Sequence, residues 1–326
     1  MNFLQNRKSK AESRLKKLQQ KLKQSPNLAK QKACVYLTGS FGRGEASDFS
    51  DLDLFIVGLG TKTEPALTRL DEILIEGELI TASRDLQFPS FSGDGEYLKH
   101  YTVHELIDTL GKPFDDATNT FTARLLLLLE SSPLLEKDVY QQVTSEVIEA
   151  YWRDYKDHRK NFIPAFLVND ILRLWRTFCV NYEARTRKGT RVEKAKRKLK
   201  NYKLKHSRLL TCYSAIVYLM GVVAERGTVS QEDARSMVAL TPIDRLVWIK
   251  NLQKFRSVSD MIEGIISTYT DFLRESDAQE KELIERFSDK RSSQKYSLEA
   301  NKFGGQVCDL LCTMGKENKV YRFLVV

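Results

Sequence analysis

The sequence predicts an α+β protein in which a small mixed-sheet domain is followed by an all-α helical domain. Two observations lead to this prediction. Buried-strand patterns occur in the first third of the 326 residues, whereas helical periodicity alone continues after about residue 115. The length also exceeds the ~150 residues of one typical domain. We therefore predict a basic N-terminal helix at 1–32, a mixed α/β domain at 33–115 and a helical domain at 116–326.

The elements of the first two segments have local signatures. Leu15, Leu18 and Leu22 form an apolar stripe that predicts a basic amphipathic helix over residues 4–24, ended by Pro26. Further along the chain, the pattern predicts strands at 33–38, 52–57 and 96–103, helices at 64–83 and 104–110, and a glycine- and proline-containing loop at 86–95.

The rest of the chain has helical periodicity. The leucine run Leu125–Leu129 predicts a helix that is buried against its neighbours. Residues 320–326 are apolar and β-prone, which is compatible with an added edge strand or with a packed tail. The predicted helices of this half lie at about 120–132, 136–155, 165–187, 205–226, 231–238, 242–254, 257–288 and 302–314.

Charge is distributed unevenly along the chain, whose formal net charge is +9. Residues 1–32 contain ten Lys/Arg and one Glu, and residues 185–208 contain twelve Lys/Arg and one Glu. Residues 33–130 contain seven Lys/Arg and seventeen Asp/Glu. Clustered carboxylates suit cations, and basic segments suit the phosphates of nucleotides, nucleic acids or lipids. The basic segments are equally compatible with solvated helix faces.

Composition excludes several classes of protein. An apolar fraction of 42% is enough for a core, so disorder over most of the chain is excluded. The longest apolar run is far too short to span a bilayer, and the N-terminus lacks a signal-peptide core. Five cysteines without repeated spacing do not indicate a disulfide framework. These features predict a reduced, cytoplasmic protein with no transmembrane segment.

The turn after the first strand has the composition of a phosphate-binding loop. The strand at 33–38 runs into Gly39 and Ser40, and Gly42 and Gly44 follow. Glycine permits positive φ and the close approach of another group to the main chain. Backbone N–H groups and the Ser40 hydroxyl at such a turn can hold phosphate oxygens, and Arg43 adds a charge that can reach them.

A pair of carboxylates begins the second strand. Asp51 and Asp53 are separated by one residue, so both side chains project from one face of a strand. Two like charges this close are costly unless a cation neutralises them. Oxygen ligands of this kind suit Mg²⁺ or Mn²⁺, and two such metals activate an attacking hydroxyl and stabilise a leaving pyrophosphate.

The spacing of these parts resembles the nucleotidyltransferase superfamily that includes DNA polymerase β. In that signature a hydrophobic residue and Gly-Ser are followed, about ten residues later, by two acids alternating with hydrophobic residues. Here these are Leu37, Gly39-Ser40 and Asp51-Leu52-Asp53-Leu54. The longer pattern over residues 39–54 is also similar to a uridylyltransferase branch. The resemblance implies transfer of a nucleotide from a nucleoside triphosphate such as ATP, with release of pyrophosphate at a two-metal site.

The resemblance also implies a third carboxylate on a neighbouring strand. Asp94 and Glu96 are the candidates, because they adjoin the predicted third strand, and they are preferred over Asp85. An Asx-turn is an equally suitable role for Asp94. If neither acid joins Asp51 and Asp53, metal binding would be weaker.

The helical half supplies candidate contacts to the triphosphate. In the superfamily, a C-terminal helical domain commonly closes the cleft and presents Lys or Arg to the phosphates. The resemblance makes Arg173, Arg176, Lys203 and Lys205 the candidates here. Arg173 and Arg176 lie on the same face of a predicted helix. A solvated face or a structural ion pair is the alternative for each of these four residues.

Three acceptors remain open. A polynucleotide 3′-end is ranked first, because the basic segments 1–32 and 185–208 favour nucleic acid. The others are a protein hydroxyl, of this enzyme or of a partner, and a second nucleotide, which gives a signalling molecule. Bacterial defence systems use members of this superfamily in all three ways, which suggests an antiphage role. A non-catalytic binding module for nucleic acid or a partner is the alternative of another class, and a membrane-surface protein anchored by residues 4–24 is a further one.

Overall fold

The computed structural model of this chain describes residues 3–91, 98–184 and 189–325. The chain divides into two compact units, Met1–Arg153 and Asp154–Val326. The predicted α+β class is confirmed, because the first unit has a four-stranded sheet and the described residues of the second unit are helical or in turns. The sequence suggested a boundary near residue 115, whereas residues 116–153 lie within the first unit.

The sheet of the first unit has mixed strand directions. β1 (Ala33–Thr38) pairs antiparallel with β2 (Asp53–Gly58) on one side and with β4 (Ser132–Leu135) on the other. β2 pairs in parallel with β3 (His100–Thr102), so the spatial order is β3-β2-β1-β4. The sheet therefore places the end of β1 beside the start of β2.

Two strand predictions need correction. The sequence predicts no strand between residue 116 and the C-terminal segment. The structure has β4 in this range, and β4 forms one edge of the sheet. Its sequence, Ser-Pro-Leu-Leu, is short and has no β-branched residue, so it carries no local strand signal. The sequence predicts the third strand over 96–103; of its described residues only His100–Thr102 form β3, because α5 begins at Val103, and residues 92–97 lie outside the described residues.

The N-terminal helix is part of the first unit. Ala11, Leu18 and Leu22 are buried in one core with residues of β1 and β2. The exposed face of this helix carries most of its lysines. The helices of the first unit are α1 (Phe3–Lys21), α2 (Ser25–Ala29), α3 (Gly39–Gly42), α4 (Arg69–Asp85), α5 (Val103–Asp108), α6 (Phe114–Ala117), α7 (Thr120–Glu130) and α8 (Lys137–Tyr151).

The second unit packs around one apolar helix. This helix is α11 (Leu209–Arg226), of which fourteen residues are buried. It continues from a π-helical turn at Leu204–Arg208. The other helices are α9 (Ala165–Ala184), α10 (Arg191–Lys203), α12 (Gln231–Ala239), α13 (Pro242–Lys250), α14 (Ser259–Glu275), α15 (Glu280–Ser288), α16 (Lys290–Gly315) and α17 (Lys319–Val325), with a 3₁₀ turn at Gln253–Val258.

Within the described part of the chain, one helical stretch is long and apolar enough to cross a membrane by length and composition. It spans Arg191–Arg226, and 78% of its apolar window is buried inside the protein. That degree of burial is what the core helix of a folded domain shows.

The C-terminal segment is helical. Residues 320–326 were expected to form an edge strand or a tail, whereas α17 covers their described part. Val320 is fully buried, and a Cβ at Gly315 would lie 2.4 Å from the Tyr321 ring. Packing of α17 against α16 therefore outweighs the β propensity of this segment.

Candidate active site

The turn after β1 brings the glycine of the Gly-Ser pair against a carboxylate of β2. Thr38 is paired with Asp53 in the antiparallel register, and Gly39 follows with φ of +64°. A Cβ built on Gly39 would lie 2.6 Å from Asp53 Oδ2. Only glycine satisfies both the positive φ and this approach. The glycine turn therefore lies against one carboxylate of the predicted pair, that of Asp53.

The two aspartates lie on the side of the chain opposite the apolar core. Leu52 and Leu54 are both 1% exposed and belong to one hydrophobic cluster. Asp51, Asp53 and the preceding Ser50 are partly exposed. Asp53 is the first residue of β2, and Asp51 precedes the strand. Burial therefore alternates along residues 51–54, as the period of two predicted, and Asp53 is the one of the two aspartates that lies within the strand.

A buried glutamate from a distant helix holds the turn. Glu130, the last residue of α7, accepts a hydrogen bond from the Gly39 amide at 3.2 Å through Oε1. Its Oε2 accepts one from Arg43 Nη1 at 2.7 Å. The side chains of Glu130 and Arg43 are 0% and 6% exposed. The sequence prediction did not include Glu130, because its partners lie 87 and 91 residues away along the chain.

The position of Arg43 differs from the sequence prediction. Its guanidinium was expected to reach phosphates, but it is buried between two carboxylates. Nε donates to Glu45 Oε2 at 2.8 Å, in addition to the bond to Glu130. Arg43 therefore fixes the shape of the turn from within, and the partly exposed Ser40 remains the candidate contact for a phosphate.

The loop between the turn and Asp51 is held by α1. The Arg14 guanidinium lies over the rings of Phe88 and Phe41, 4.2 and 5.4 Å from their centroids. It also donates to the Ser47 carbonyl at 2.6 Å. Burial lowers the pKa of Arg14, an effect that the nearby Asp48 carboxylate opposes. One side chain of the basic helix is thus structural rather than available to a polyanion.

The buried Thr38 hydroxyl is part of the same surface. Thr38 is 1% exposed, and its Oγ1 has no hydrogen-bond partner among the described residues. It lies opposite Asp53 in the register, so the two side chains share a face of the sheet. A buried hydroxyl usually has a partner. The Asp53 carboxylate and the unsatisfied Thr38 hydroxyl therefore share this face of the sheet.

The third carboxylate is not identified. Asp94 and Glu96 both lie outside the described residues. Asp85, the alternative given less weight, is exposed at the end of α4 and pairs with Lys21 at 3.2 Å. Within residues 3–91, 98–184 and 189–325, no group of three or more His, Cys, Asp or Glu side chains is arranged to hold a metal ion. The roles predicted for Asp94 and Glu96 stay predictions.

The basic candidates all belong to the second unit, and the structure separates them into two sets. Arg173 and Arg176 line one cavity of about 390 Å³ between α9 and α17, together with Asn169 and Thr177. Lys203 is exposed, and Lys205 Nζ donates to Asn301 Oδ1 at 3.1 Å. Neither lysine lines that cavity. Contact of these four residues with a triphosphate stays a prediction.

Comparison with known families gives one match, which lies within the first unit. Residues 15–115 match the family model described as a nucleotidyltransferase domain. The resemblance seen in the motif is confirmed, and the chain carries a nucleotidyltransferase domain of a kind consistent with the polymerase β-like superfamily. Such a domain supports nucleotidyl transfer from a nucleoside triphosphate, generally with divalent metals. Comparisons with curated proteins and with solved structures gave no match.

Proposed function

We propose that the protein transfers NMP or dNMP from a nucleoside triphosphate such as ATP to the 3′-end of a polynucleotide, and so makes or tails short oligomers. The observation that carries the transfer chemistry is the approach of Gly39 to Asp53. It places the turn proposed to bind phosphates against Asp53, one of the two proposed metal ligands. Bacterial antiphage defence is a role that such an activity fits.

Asp51 and Asp53 are the residues proposed to hold Mg²⁺ or Mn²⁺. Their partly exposed carboxylates fit the hard oxygen donors that these ions prefer, and the unsatisfied Thr38 hydroxyl lies on the same face. When bound, the metals would activate the acceptor hydroxyl and neutralise charge on the leaving pyrophosphate.

The chain's own residues position the nucleotide. In the proposal, the Ser40 hydroxyl binds a phosphate oxygen, while Glu130 and Arg43 hold the turn that presents it. Because Glu130 and Arg43 are both buried and paired with each other, the turn needs little reorganisation when the triphosphate binds. Arg173 and Arg176 are the proposed cationic contacts from the second unit.

The choice of a polynucleotide acceptor is supported by the exposed lysines of two helices. Glu193, the one acidic residue of α10, is bonded to Thr190 in a capping box at the helix start. Lysines on a helix surface bind phosphates without reading sequence. The exposed lysines are Lys8, Lys10, Lys16, Lys17 and Lys21 on α1, and Lys194, Lys196, Lys198, Lys200 and Lys203 on α10.

The experiment uses the full chain with each α-³²P-labelled NTP and dNTP, Mg²⁺ or Mn²⁺, and a single-stranded RNA or DNA oligonucleotide. We expect extended oligonucleotides on a denaturing gel. Asp51→Asn/Asp53→Asn should abolish extension while retaining the fold by circular dichroism. The matched control is Asp154→Asn/Asp157→Asn, which removes the same charge from exposed residues and should retain activity.

Three outcomes contradict the proposal in different ways. A labelled protein band that protease removes indicates transfer to a protein hydroxyl. A single labelled product of dinucleotide size, with no ladder of longer products, indicates synthesis of a signalling nucleotide. Absence of label with every nucleotide and acceptor, together with oligonucleotide binding by both aspartate variants, indicates a non-catalytic binding module.

A further inference from the structure

The chain reaches Asp51 from the glycine turn through a tight β-turn. The Ser50 amide donates to the Ser47 carbonyl at 3.2 Å, which leaves Asp48 and Phe49 at the tip of the turn. Small and polar residues dominate such positions. Phe49 is a large apolar residue there, and it is 45% exposed. An aromatic ring therefore stands in solvent two residues before the first of the two proposed metal ligands.

Hydrogen bonds fix the backbone that presents this ring. The Ser47 amide donates to Ser50 Oγ at 3.0 Å, and the Phe49 amide donates to Ser47 Oγ at 3.2 Å. Arg14 of α1 braces the turn through its hydrogen bond to the Ser47 carbonyl. The turn is therefore formed before a ligand binds, and a contact with a preorganised ring costs less entropy than one with a mobile loop.

The charge at the tip of this turn is negative. Asp48, the neighbour of Phe49, is exposed. The Arg14 guanidinium lies over the rings of Phe41 and Phe88 instead. A carboxylate beside the Phe49 ring disfavours a phosphate or an anionic lipid headgroup at this point. An uncharged aromatic face suits a nucleobase, because every base has a π-face that stacks on aromatic side chains.

We propose that Phe49 stacks on a nucleobase of a substrate bound at Asp51 and Asp53. The inference rests on the proposed function, which supplies the substrates, and the base belongs either to the end of the acceptor or to the incoming nucleotide. Phe49 precedes Asp51 by at most ~7 Å of chain, and in either substrate one sugar joins the base to the reacting atom. Stacking tolerates every base, so Phe49 positions the substrate without reading its sequence.

The first test is steady-state transfer by the full chain, with the oligonucleotide and the labelled nucleoside triphosphate varied in turn. Phe49→Ala should raise the KM of one substrate about five- to tenfold and leave kcat within about twofold, because stacking stabilises the bound substrate and the transition state alike. The substrate whose KM rises is the one whose base stacks. Phe49→Tyr keeps the ring and should retain the wild-type KM. Phe49→Leu keeps an apolar side chain without the ring and should resemble Phe49→Ala.

The matched control is Phe114→Ala. Phe114 is 70% exposed, so it is at least as accessible as Phe49. It begins α6, ahead of the start of α7, whereas the glycine turn contacts the end of α7 at Glu130. Both KM values should therefore be unchanged in this variant. Unchanged KM values in Phe49→Ala, or a wild-type KM in Phe49→Leu, would overturn the proposal.

A binding measurement separates failure of this inference from failure of the proposed function. Phe49→Trp adds a fluorescent ring at the tip of the turn, Phe114→Trp adds one at the control position, and the three native tryptophans are present in both. We expect the oligonucleotide or ATP, each added alone with Mg²⁺, to quench the fluorescence of Phe49→Trp only. Quenching without transfer to any acceptor would retain the base contact and reject the proposed function. Transfer with no quenching and unchanged KM values would retain the function and reject the role of Phe49.

Discussion

The glycine turn of the first unit and the aromatic cluster of the second unit bury polar groups in opposite ways. Around the turn, Arg43, Glu45 and Glu130 are all buried, and they compensate one another by charge. In the second unit, His206 lies between the rings of Phe272 and Phe303, with centroids 4.4 and 4.9 Å away.

The two regions therefore have different vulnerabilities. The His206 Nδ1–H donates to the Tyr202 carbonyl at 2.8 Å, and burial lowers the pKa of the imidazole to about 4. The imidazole is thus kept neutral rather than paired with a carboxylate. Around the turn, loss of one charged residue leaves a buried charge without its partner. In the aromatic cluster, protonation of His206 places a new charge among apolar rings.

The largest expected effect is the loss of Glu130. Glu130→Ala removes the acceptor of the Gly39 amide and a counter-charge of Arg43, so the free energy of unfolding should fall by about 3–5 kcal/mol. Urea denaturation followed by circular dichroism measures this. Glu130→Gln keeps an acceptor for the amide and should cost less. A loss below ~1 kcal/mol for Glu130→Ala would show that the turn is held by other contacts.

Next in size is a methyl group added at Gly39. Gly39→Ala places a Cβ against Asp53 Oδ2, so nucleotidyl transfer should fall about 100-fold through displacement of the carboxylate. Gly44→Ala is the control, because it has the same positive-φ strain, with φ of +68°, but would meet only the Lys8 side chain at 3.6 Å. Equal losses of activity in the two variants would contradict the proposed role of the Asp53 approach.

These two residues also show what the sequence could reveal. Gly39 and Asp53 could be assigned to one motif because both belong to one short pattern, and a strand fixes which face a side chain takes. Glu130 accepts a hydrogen bond from the Gly39 amide, which is 91 residues away in the sequence. No local sequence pattern indicates such a contact. Arg43 was misassigned for the same reason: its charge is visible in the sequence, but its partners are not.

Helices and strands with a local sequence pattern were also predicted correctly, whereas one that depends on a distant partner was not. The buried leucine helix was expected from its run of five leucines, and α7 confirms it. β4 was missed because pairing with β1, rather than its own composition, makes it a strand. The third carboxylate could not be tested, since both preferred candidates lie outside the described residues.

An effect of intermediate size is expected from acid on the aromatic cluster. Because the pKa of His206 is about 4 in the folded chain and ~6.5 when unfolded, the unfolded state binds more protons between these values. Stability should therefore fall as pH falls, by about 2 kcal/mol from pH 7 to pH 5. His206→Phe should remove this contribution, which urea denaturation at several pH values measures. An unchanged pH dependence in His206→Phe would assign the effect to other groups.

The smallest expected effect concerns the Thr38 hydroxyl. Thr38→Val removes an unsatisfied buried oxygen, so the free energy of unfolding in EDTA should rise by ~1 kcal/mol or less. If the Thr38 hydroxyl contributes to metal binding, the Mg²⁺ concentration for half-maximal transfer should rise in the same variant. A variant that is more stable and needs no more Mg²⁺ would remove Thr38 from the site.

The position of Glu130 has a consequence for how the protein is made. The family match ends at residue 115, yet the carboxylate that holds the turn and the strand that flanks β1 come later in the chain. During translation, β4 ends 77 residues after β2. At ~5–20 residues per second, the ribosome needs about 4–15 s to supply them. Throughout that interval the turn at Gly39 lacks the Glu130 carboxylate and the β4 strand, so this is the period in which chaperone binding would protect the nascent chain most.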